Sequence, residues 1–465
     1  MSAFEALARL LGPRFSTTDA ARRQNGRNDG HYPEILPDAV AFAQDTDEVS
    51  QIVRICAAHA VPIVAFGTGT SLEGQHLAPQ GGVSLDFSRM NKVIELRPED
   101  MNVVIQPGLT RKQLNDELRA TGLFFPIDPG ADASLGGMAA TRASGTTAVR
   151  YGTMRENVLA LEAVMADGSV IRTGSAARKS SAGYDLTHLL VGSEGTLGLI
   201  TELTLKLHGV PEAIASATCH FDTVSDAVDC VITTIQSGLP MARIELVDEM
   251  MVRGFNLARN AGLPEKPHLF LEFHGAPEAV RGQVTRFREI AADCGAGNWQ
   301  EADTPEARTA LWALRHGALP AISALDPGAD KRTLSTDVCV PISRLSEAVS
   351  VARAEAAARG LLCTTAGHVG DGNFHCGLRY DPGDAAVVDK VMDFAGVLAE
   401  TALRLGGTVT GEHGIGIGKR KYMAAEHGPA LDWMARVKAA FDPNGLLNPG
   451  KMLPETPTPS GRNGD

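Results

Sequence analysis

VPIVAFGTGTSLEG, residues 61–74, runs from an apolar stretch straight into a loop of glycines and hydroxyls. Its first six residues predict a strand. Gly67, Thr68, Gly69, Thr70 and Ser71 follow. Glycine lets backbone N–H groups approach an anion closely, and the hydroxyls add donors. The loop therefore reads as a diphosphate cradle or, taken alone, as a tight turn. No Gly-Lys-Ser/Thr follows, so it is not a Walker loop. The spacing after Gly69 is not GxGxxG, and no acidic residue ends a strand about 20 residues on, which excludes a nicotinamide fingerprint.

Two further glycine-rich segments lie downstream. DPGADASLGGMAATRASGTTAVRYG (128–152) holds Gly130, Gly136, Gly137, Gly145 and Gly152 among small and hydroxyl residues. A helix there is poor on propensity, but such backbone can lie against a flat ligand. GSEGTLGLITELTLKL (192–207) leads from a turn into a firm strand, with Leu203, Leu205 and Leu207 on one face and Glu202, Thr204 and Lys206 on the other. VSLDF (83–87) predicts another strand, and VLALEAVMADGSVIRTG (158–174) a strand, an Asp-Gly turn and a strand. Three such loops in one half of the chain predict an extended dinucleotide-type cofactor.

From about 211 to 400 the texture changes to longer alternations. DTVSDAVDCVITTIQSG (222–238) predicts a helix with Asp222 as N-cap and Gly238 near its end. ARIELVD, HLFLEFH and STDVCVP predict strands. Apolar residues at 388, 391, 395, 398, 402 and 405 predict a helix ended by Gly406-Gly407. The alternation predicts an α+β domain, an antiparallel sheet with helices on one face.

The chain has 465 residues, enough for two or three domains, with 43 basic against 55 acidic residues and a net charge of −12. That balance argues against nucleic-acid binding. No uninterrupted apolar run of about 18 residues exists, so no transmembrane segment is expected. The N-terminus lacks the long apolar run and cleavage site of a signal peptide and predicts a short amphipathic helix packed on a domain; contact with a membrane surface stays open. Seven cysteines without a CxxC pair fit a reducing cytoplasm and not an iron–sulfur site.

GHVGDGNFH (367–375) places His368 and His375 around Gly-Asp-Gly-Asn; one tight turn there lets the imidazoles meet. GEHGIG (411–416) adds Glu412 and His413 between glycines. Imidazole and carboxylate together suit Zn²⁺, Mn²⁺ or Fe²⁺, and two histidines with one carboxylate leave positions open for catalysis. The bland alternative is that these histidines tie two loops together by hydrogen bonds. There is no HExxH, so zincin chemistry is not indicated.

The combination resembles a known family. FGTGTSLEG, the stretch from DPG to RYG, and GSEGTLGLIT resemble the FAD domain of the vanillyl-alcohol oxidase type. GHVGDGNFH, GEHGIG and NPGK (448–451) resemble its FAD-linked D-2-hydroxyacid dehydrogenase branch. STDVCVPISRL (335–345) is similar to the D-lactate dehydrogenase (cytochrome) members in particular. The likeness runs from about residue 30 to 455. With the changes of texture along the chain, it divides the sequence into an N-terminal helical segment (1–34), an FAD-binding domain (35–210), a substrate or cap domain (211–405) and a C-terminal segment returning to the FAD site (406–454), and the Pro/Ser/Gly-rich composition from Glu455 predicts a disordered tail (455–465).

The resemblance also implies roles. Gly67, Thr68, Gly69, Thr70 and Ser71 surround the FAD pyrophosphate. Ser134, Gly136, Gly137, Thr141, Ser144 and Gly145 line the ribityl chain and ring, and Glu194, Gly195 and Ile200 complete the adenine side. Only His76 stands near these loops as a residue able to link a flavin, and the FAD is expected to be non-covalent. His368, His375 and Glu412 match the ligands of a divalent metal, Zn or Mn, and His413 the catalytic base. Arg315 matches the anchor of the substrate carboxylate, with Lys331 or Arg332 as a further cation. Members acting on D-2-hydroxyglutarate carry Asn two residues after the second histidine; Gly377 stands there, which weakens a dicarboxylate reading. The implied reaction is oxidation of a D-2-hydroxy acid, first D-lactate and next glycolate, with electrons passed to a quinone, cytochrome or flavoprotein. Accessory flavin subunits would keep the glycine loops and lose the His/Glu set, which is complete here.

Overall fold

Ile63–Phe66, which delivers the chain into the 67–71 loop, is an edge strand of a four-stranded sheet. Its neighbours are Val83–Asp86 and Ala39–Phe42, both parallel, and then the antiparallel pair Phe15–Ser16. The computed structural model describes residues 1–28 and 30–454; the expected tail at 455–465 lies outside them. The N-terminal helix Ala3–Leu11 begins with a capping box between Ser2 and Glu5, and buries Leu7 and Leu11 against this sheet's core. No described helix is long and apolar enough to cross a membrane.

A second, five-stranded antiparallel sheet follows, in the order Val93–Arg97, Asn102–Ile105, Leu199–Lys206, Val158–Val164, Val170–Gly174. The last two form the expected hairpin, Val164 opposite Val170. Leu203, Leu205 and Leu207 are all fully buried, on the face the alternation assigned to them. Leu135, Met138 and Ala139 pack into the same core from the helix Leu135–Thr141. That helix forms against its propensity. A Cβ on Gly136 would lie 2.4 Å from Pro107 Cβ, so close packing that only glycine permits outweighs the intrinsic cost of about 1 kcal/mol.

The second half builds one antiparallel sheet. Its order is Gly297–Ala302, Ala213–His220, His268–Gly275, Met241–Val247, Cys363–Gly367, Asn373–Tyr380, Arg332–Ser335, and Val338–Cys339 also pairs with Asn373–Tyr380. Four helices, Val224–Gln236, Pro277–Asp293, Leu345–Ala358 and Ala385–Arg404, cover one face around Leu269, Leu271, Phe287 and Phe374. A smaller set, Glu249–Arg259, Pro305–Arg315 and Ala318–Leu325, packs Phe255 and Trp312 on Phe270 from the opposite face. The first face alone was expected.

Two local expectations need correction. Thr223, not Asp222, caps the helix Val224–Gln236: its hydroxyl accepts from Asp226 N, while Asp222 pairs with Lys266 on the surface. STDVCVP is not one strand. It breaks at Thr336–Asp337 because the Asp337 side chain turns inward to several buried donors.

Candidate active site

His368 follows the strand Cys363–Gly367, and His375 lies within Asn373–Tyr380; the two strands pair with Ala366 opposite His375. The turn between them closes over Val369–Asp371 and reverses at Gly372, whose φ is +78°. A Cβ there would lie 2.0 Å from Val340 O, so this position requires glycine. The turn sets the two imidazoles edge to face, their centroids 5.6 Å apart.

Glu412 enters from the 411–416 loop. Its Oε1 lies 3.2 Å from His368 Nε2 and 3.1 Å from His375 Nε2. The other nitrogen of each ring is already engaged: His368 Nδ1 with the Glu245 carboxylate at 2.7 Å, and His375 Nδ1 with Thr336 O at 2.9 Å. Nδ1–H donation leaves both Nε2 lone pairs directed at one point beside a carboxylate. The chemistry of this donor set fits a divalent cation. Burial opposes a charge on His368, but Glu245 and Glu412 outweigh it and hold its pKa well above the ordinary value. Burial opposes ionisation of Glu412 too, and His368 still holds its carboxyl well below the usual range. The pocket thus concentrates negative charge that a proton balances when no cation is bound.

His413 stacks on His375, ring centroids 5.0 Å apart and planes 11° from parallel. Burial pushes its pKa down to about 4, so at neutral pH it is an uncharged base. Its Nδ1 is buried without a hydrogen-bond partner. Asp337, fully buried, orients the loop: Oδ2 accepts from Glu412 N at 3.0 Å, His413 N at 2.9 Å and Thr410 Oγ1 at 2.7 Å. Despite burial, Lys419 and the neighbouring imidazoles hold this carboxyl well below its ordinary range. Arg315 is buried at the end of its helix, and its Nη2 donates to Glu245 at 2.6 Å. Arg315 therefore reaches the cluster through Glu245, the carboxylate that also holds His368.

Lys331 pairs with Asp326, and Arg332 donates to His31 O; their side chains have those partners and not the cluster. Sequence reading missed Glu245, Asp337 and Lys419. Glu245 stands between Ile244 and Leu246 in the strand Met241–Val247, and an acid flanked by apolar strand residues was the available signal there.

The glycine loops converge beside this cluster. A Cβ on Gly67 would fall 2.1 Å from Ser134 Oγ, and one on Gly137 2.9 Å from the same atom. Ser134 N donates to Thr68 Oγ1, which lies 3.3 Å from Thr70 Oγ1. Ser134 Oγ is buried with no partner. An orphaned hydroxyl in a cradle where a Cβ has no room fits a phosphate-bearing cofactor held by backbone. Ser71 O accepts from Asn28, Thr141 bonds back to Gly137 O, Ser144 is half-buried, and Gly145 packs against Asp128. Ala139 and Ala140 carbonyls accept from Gly192 N and Glu194 N, joining the second loop to the third, where Gly195 turns at φ +70°. Two predicted contacts have other partners. The Glu194 carboxylate accepts from Ile415 N at 2.7 Å and Gly416 N at 2.9 Å, and Ile200 packs in the core of the five-stranded sheet. Glu194 therefore stitches the 411–416 loop to the glycine loops, helped by Gln75, which donates to His413 O at 2.6 Å. His76 meets the Arg27 carbonyl.

Known proteins match both halves of this chain. Residues 37–174 match an FAD binding domain, and residues 210–452 match the C-terminal domain of FAD linked oxidases. A probable mitochondrial D-lactate dehydrogenase of Danio rerio is 49% identical over 95% of this chain and 90% of its own. The mitochondrial D-lactate dehydrogenase [cytochrome] of Arabidopsis thaliana is 46% identical over 92% and 75%. The glycolate oxidase subunit GlcD of Bacillus subtilis is 35% identical over 97% and 96%. In structure, p-cresol methylhydroxylase superposes with a TM-score of 0.81 over 97% of this chain and 96% of its own, at 18% identity. The 4-ethylphenol oxidase of Gulosibacter chungangensis gives 0.78 over 97% of each chain at 19%. An FAD-binding domain, a sheet domain carrying a half-buried His/Glu cluster, and matches across nearly the whole length lead to one conclusion: the chain belongs to the FAD-linked oxidases.

Proposed function

We propose that this chain is a D-lactate dehydrogenase, oxidising D-lactate to pyruvate and passing the electrons to an external acceptor, a quinone, cytochrome or flavoprotein. The observation that carries the reading is the convergence of His368 Nε2, His375 Nε2 and Glu412 Oε1, with His413 stacked alongside. His368, His375 and Glu412 would hold a divalent cation, Zn or Mn. When bound, the cation would make a substrate's α-hydroxyl more acidic, and FAD would supply the hydride acceptor. Arg315 pairs with the substrate carboxylate; its Nε, buried and unpartnered, remains to donate. The His413 imidazole takes the hydroxyl proton, which its low pKa permits because the ring is neutral before the step. Asp337 keeps the His413 backbone in place.

The same proposal divides the labour. Residues 35–210 hold the FAD non-covalently, 211–405 bind the substrate, and 406–454 return to the flavin site, where Leu447 pairs with Ile63. A reducing, cytoplasmic setting belongs to it, supported by seven free cysteines; a membrane-borne acceptor requires surface contact only. Preference for lactate over a dicarboxylate rests on Gly377. A Cβ there would lie 2.4 Å from Ile322 Cδ1, so an apolar side chain fills the space a polar one would need. Glycolate is the second reading, favoured by the likeness to GlcD. The test is anaerobic flavin bleaching with D-lactate, L-lactate, glycolate and D-2-hydroxyglutarate. D-lactate should bleach fastest and L-lactate not at all. Faster bleaching by glycolate would transfer the assignment, and no bleaching by any D-2-hydroxy acid would end it.

A further inference from the structure

We propose that Glu245 is a positioning residue that sets two parts of the reaction centre at once, the metal-ligating face of His368 and the guanidinium of Arg315. The inference rests on the reading above. Glu245 lies on the strand Met241–Val247, and its side chain is 1% exposed. A carboxylate so buried is costly unless its lone pairs are matched by donors. Here they are: His368 Nδ1 lies 2.7 Å from Oε1 and 2.9 Å from Oε2, and Arg315 Nη2 lies 2.6 Å from Oε2.

Each contact has a consequence at the far side of the partner. A proton held on His368 Nδ1 leaves Nε2 as a lone pair, and the same contact fixes the ring so that this lone pair points toward Glu412. The arm of Arg315 held by Glu245 fixes the plane of the guanidinium, leaving Nε free of protein partners. In a 2-hydroxy acid the hydroxyl and carboxylate occupy adjacent carbons, so the cation and the guanidinium must stand at a set spacing. One carboxylate bonded to both defines that spacing.

Only a carboxylate meets both demands. Glutamine offers one acceptor oxygen, and its amide must then turn an N–H toward His368 Nδ1–H or toward Arg315. His375 is the internal reference, because its Nδ1 is held by the Thr336 backbone carbonyl, which no side-chain exchange removes.

The experiment is a Mn²⁺ titration, read by loss of the free-ion EPR signal, on FAD-loaded full-length protein and its Glu245→Gln variant. Wild type should bind Mn²⁺, and the variant about 10- to 100-fold more weakly, with an unchanged flavin spectrum. At saturating Mn²⁺ the variant should show a KM for D-lactate raised about 10-fold and a kcat changed much less, as expected when ground-state positioning is lost. If Glu245→Gln fails to fold, Glu245→Asp gives the same reading, since its shorter carboxylate keeps the charge but cannot span both partners. A merely structural Glu245 would lower the melting temperature and leave the Mn²⁺ affinity of the folded protein unchanged; that result overturns the proposal. Metal-stripped wild type that binds neither Mn²⁺ nor Zn²⁺ would overturn the metal reading itself, and this inference with it, so the two failures are distinguishable.

Discussion

The glycine loops and the His/Glu cluster are built on opposite plans. The loops are shaped by residues with almost no side chain: at Gly67 and Gly137 a Cβ would crowd Ser134 Oγ. The cluster is built of side chains from a strand pair and the distant 411–416 loop, with His368 and His375 each held by a further polar group behind it. Adding atoms damages the first region, and removing them damages the second. The largest effect is therefore expected from the base. His413→Ala should lower kcat by about 10³-fold, within the range for a general base, while Mn²⁺ and FAD stay bound; loss of metal with activity would make His413 a ligand. Arg315→Ala should cost about 100-fold in kcat/KM, read by steady-state kinetics, with normal flavin content. In the other region, Gly67→Ala puts a methyl 2.1 Å from Ser134 Oγ and should lower FAD occupancy after purification about 10-fold, at a cost of about 1–3 kcal/mol for overpacking. The same alanine with full FAD content would show that the cradle has slack.

These regions also differ in what the sequence discloses. The loops are local, so Gly67–Ser71, Ser134–Gly137 and Gly192–Gly195 could be marked by composition alone. GHVGDGNFH and GEHGIG were legible for a related reason: glycines that force tight turns lie between His368 and His375 and on either side of Glu412-His413. What stood behind them was not legible. Glu245 lies 123 residues from His368 in the chain, and Asp337 lies 76 from His413. No periodicity links them, because the pairing is made by sheet register and loop closure. Glu194 shows the converse. The family resemblance implied a cofactor contact for it, and its carboxylate meets the amides of residues 415 and 416, a partner only the fold brings near.

Smaller effects sharpen the same contrast at the level of single elements. Thr223→Ala should destabilise by about 1 kcal/mol, the usual worth of an N-cap, and Asp222→Ala should leave the melting temperature unchanged; the reverse order would restore Asp222 as the cap. The last effect concerns pH. Burial pushes the pKa of His268 down to about 4 from an ordinary 6.5, despite the Lys266 carbonyl beside it. The unfolded chain then binds a proton that the folded chain refuses. Stability from this group is full above pH 6.5 and is lost as pH falls toward 4. Urea midpoints should fall over that window, and less steeply in His268→Asn; parallel slopes would place the acid sensitivity elsewhere.

In the proposed mechanism a divalent cation on His368, His375 and Glu412 is required for a D-2-hydroxy acid to reduce the flavin. Its most direct test is single-turnover, anaerobic bleaching of FAD by D-lactate in protein stripped of metal but retaining its flavin. Bleaching should be at least about 100-fold slower than in the loaded enzyme, with the rate restored by added Mn²⁺ or Zn²⁺. Full-rate bleaching by exhaustively metal-free protein would contradict it and leave His413 and Arg315 to act without a cation.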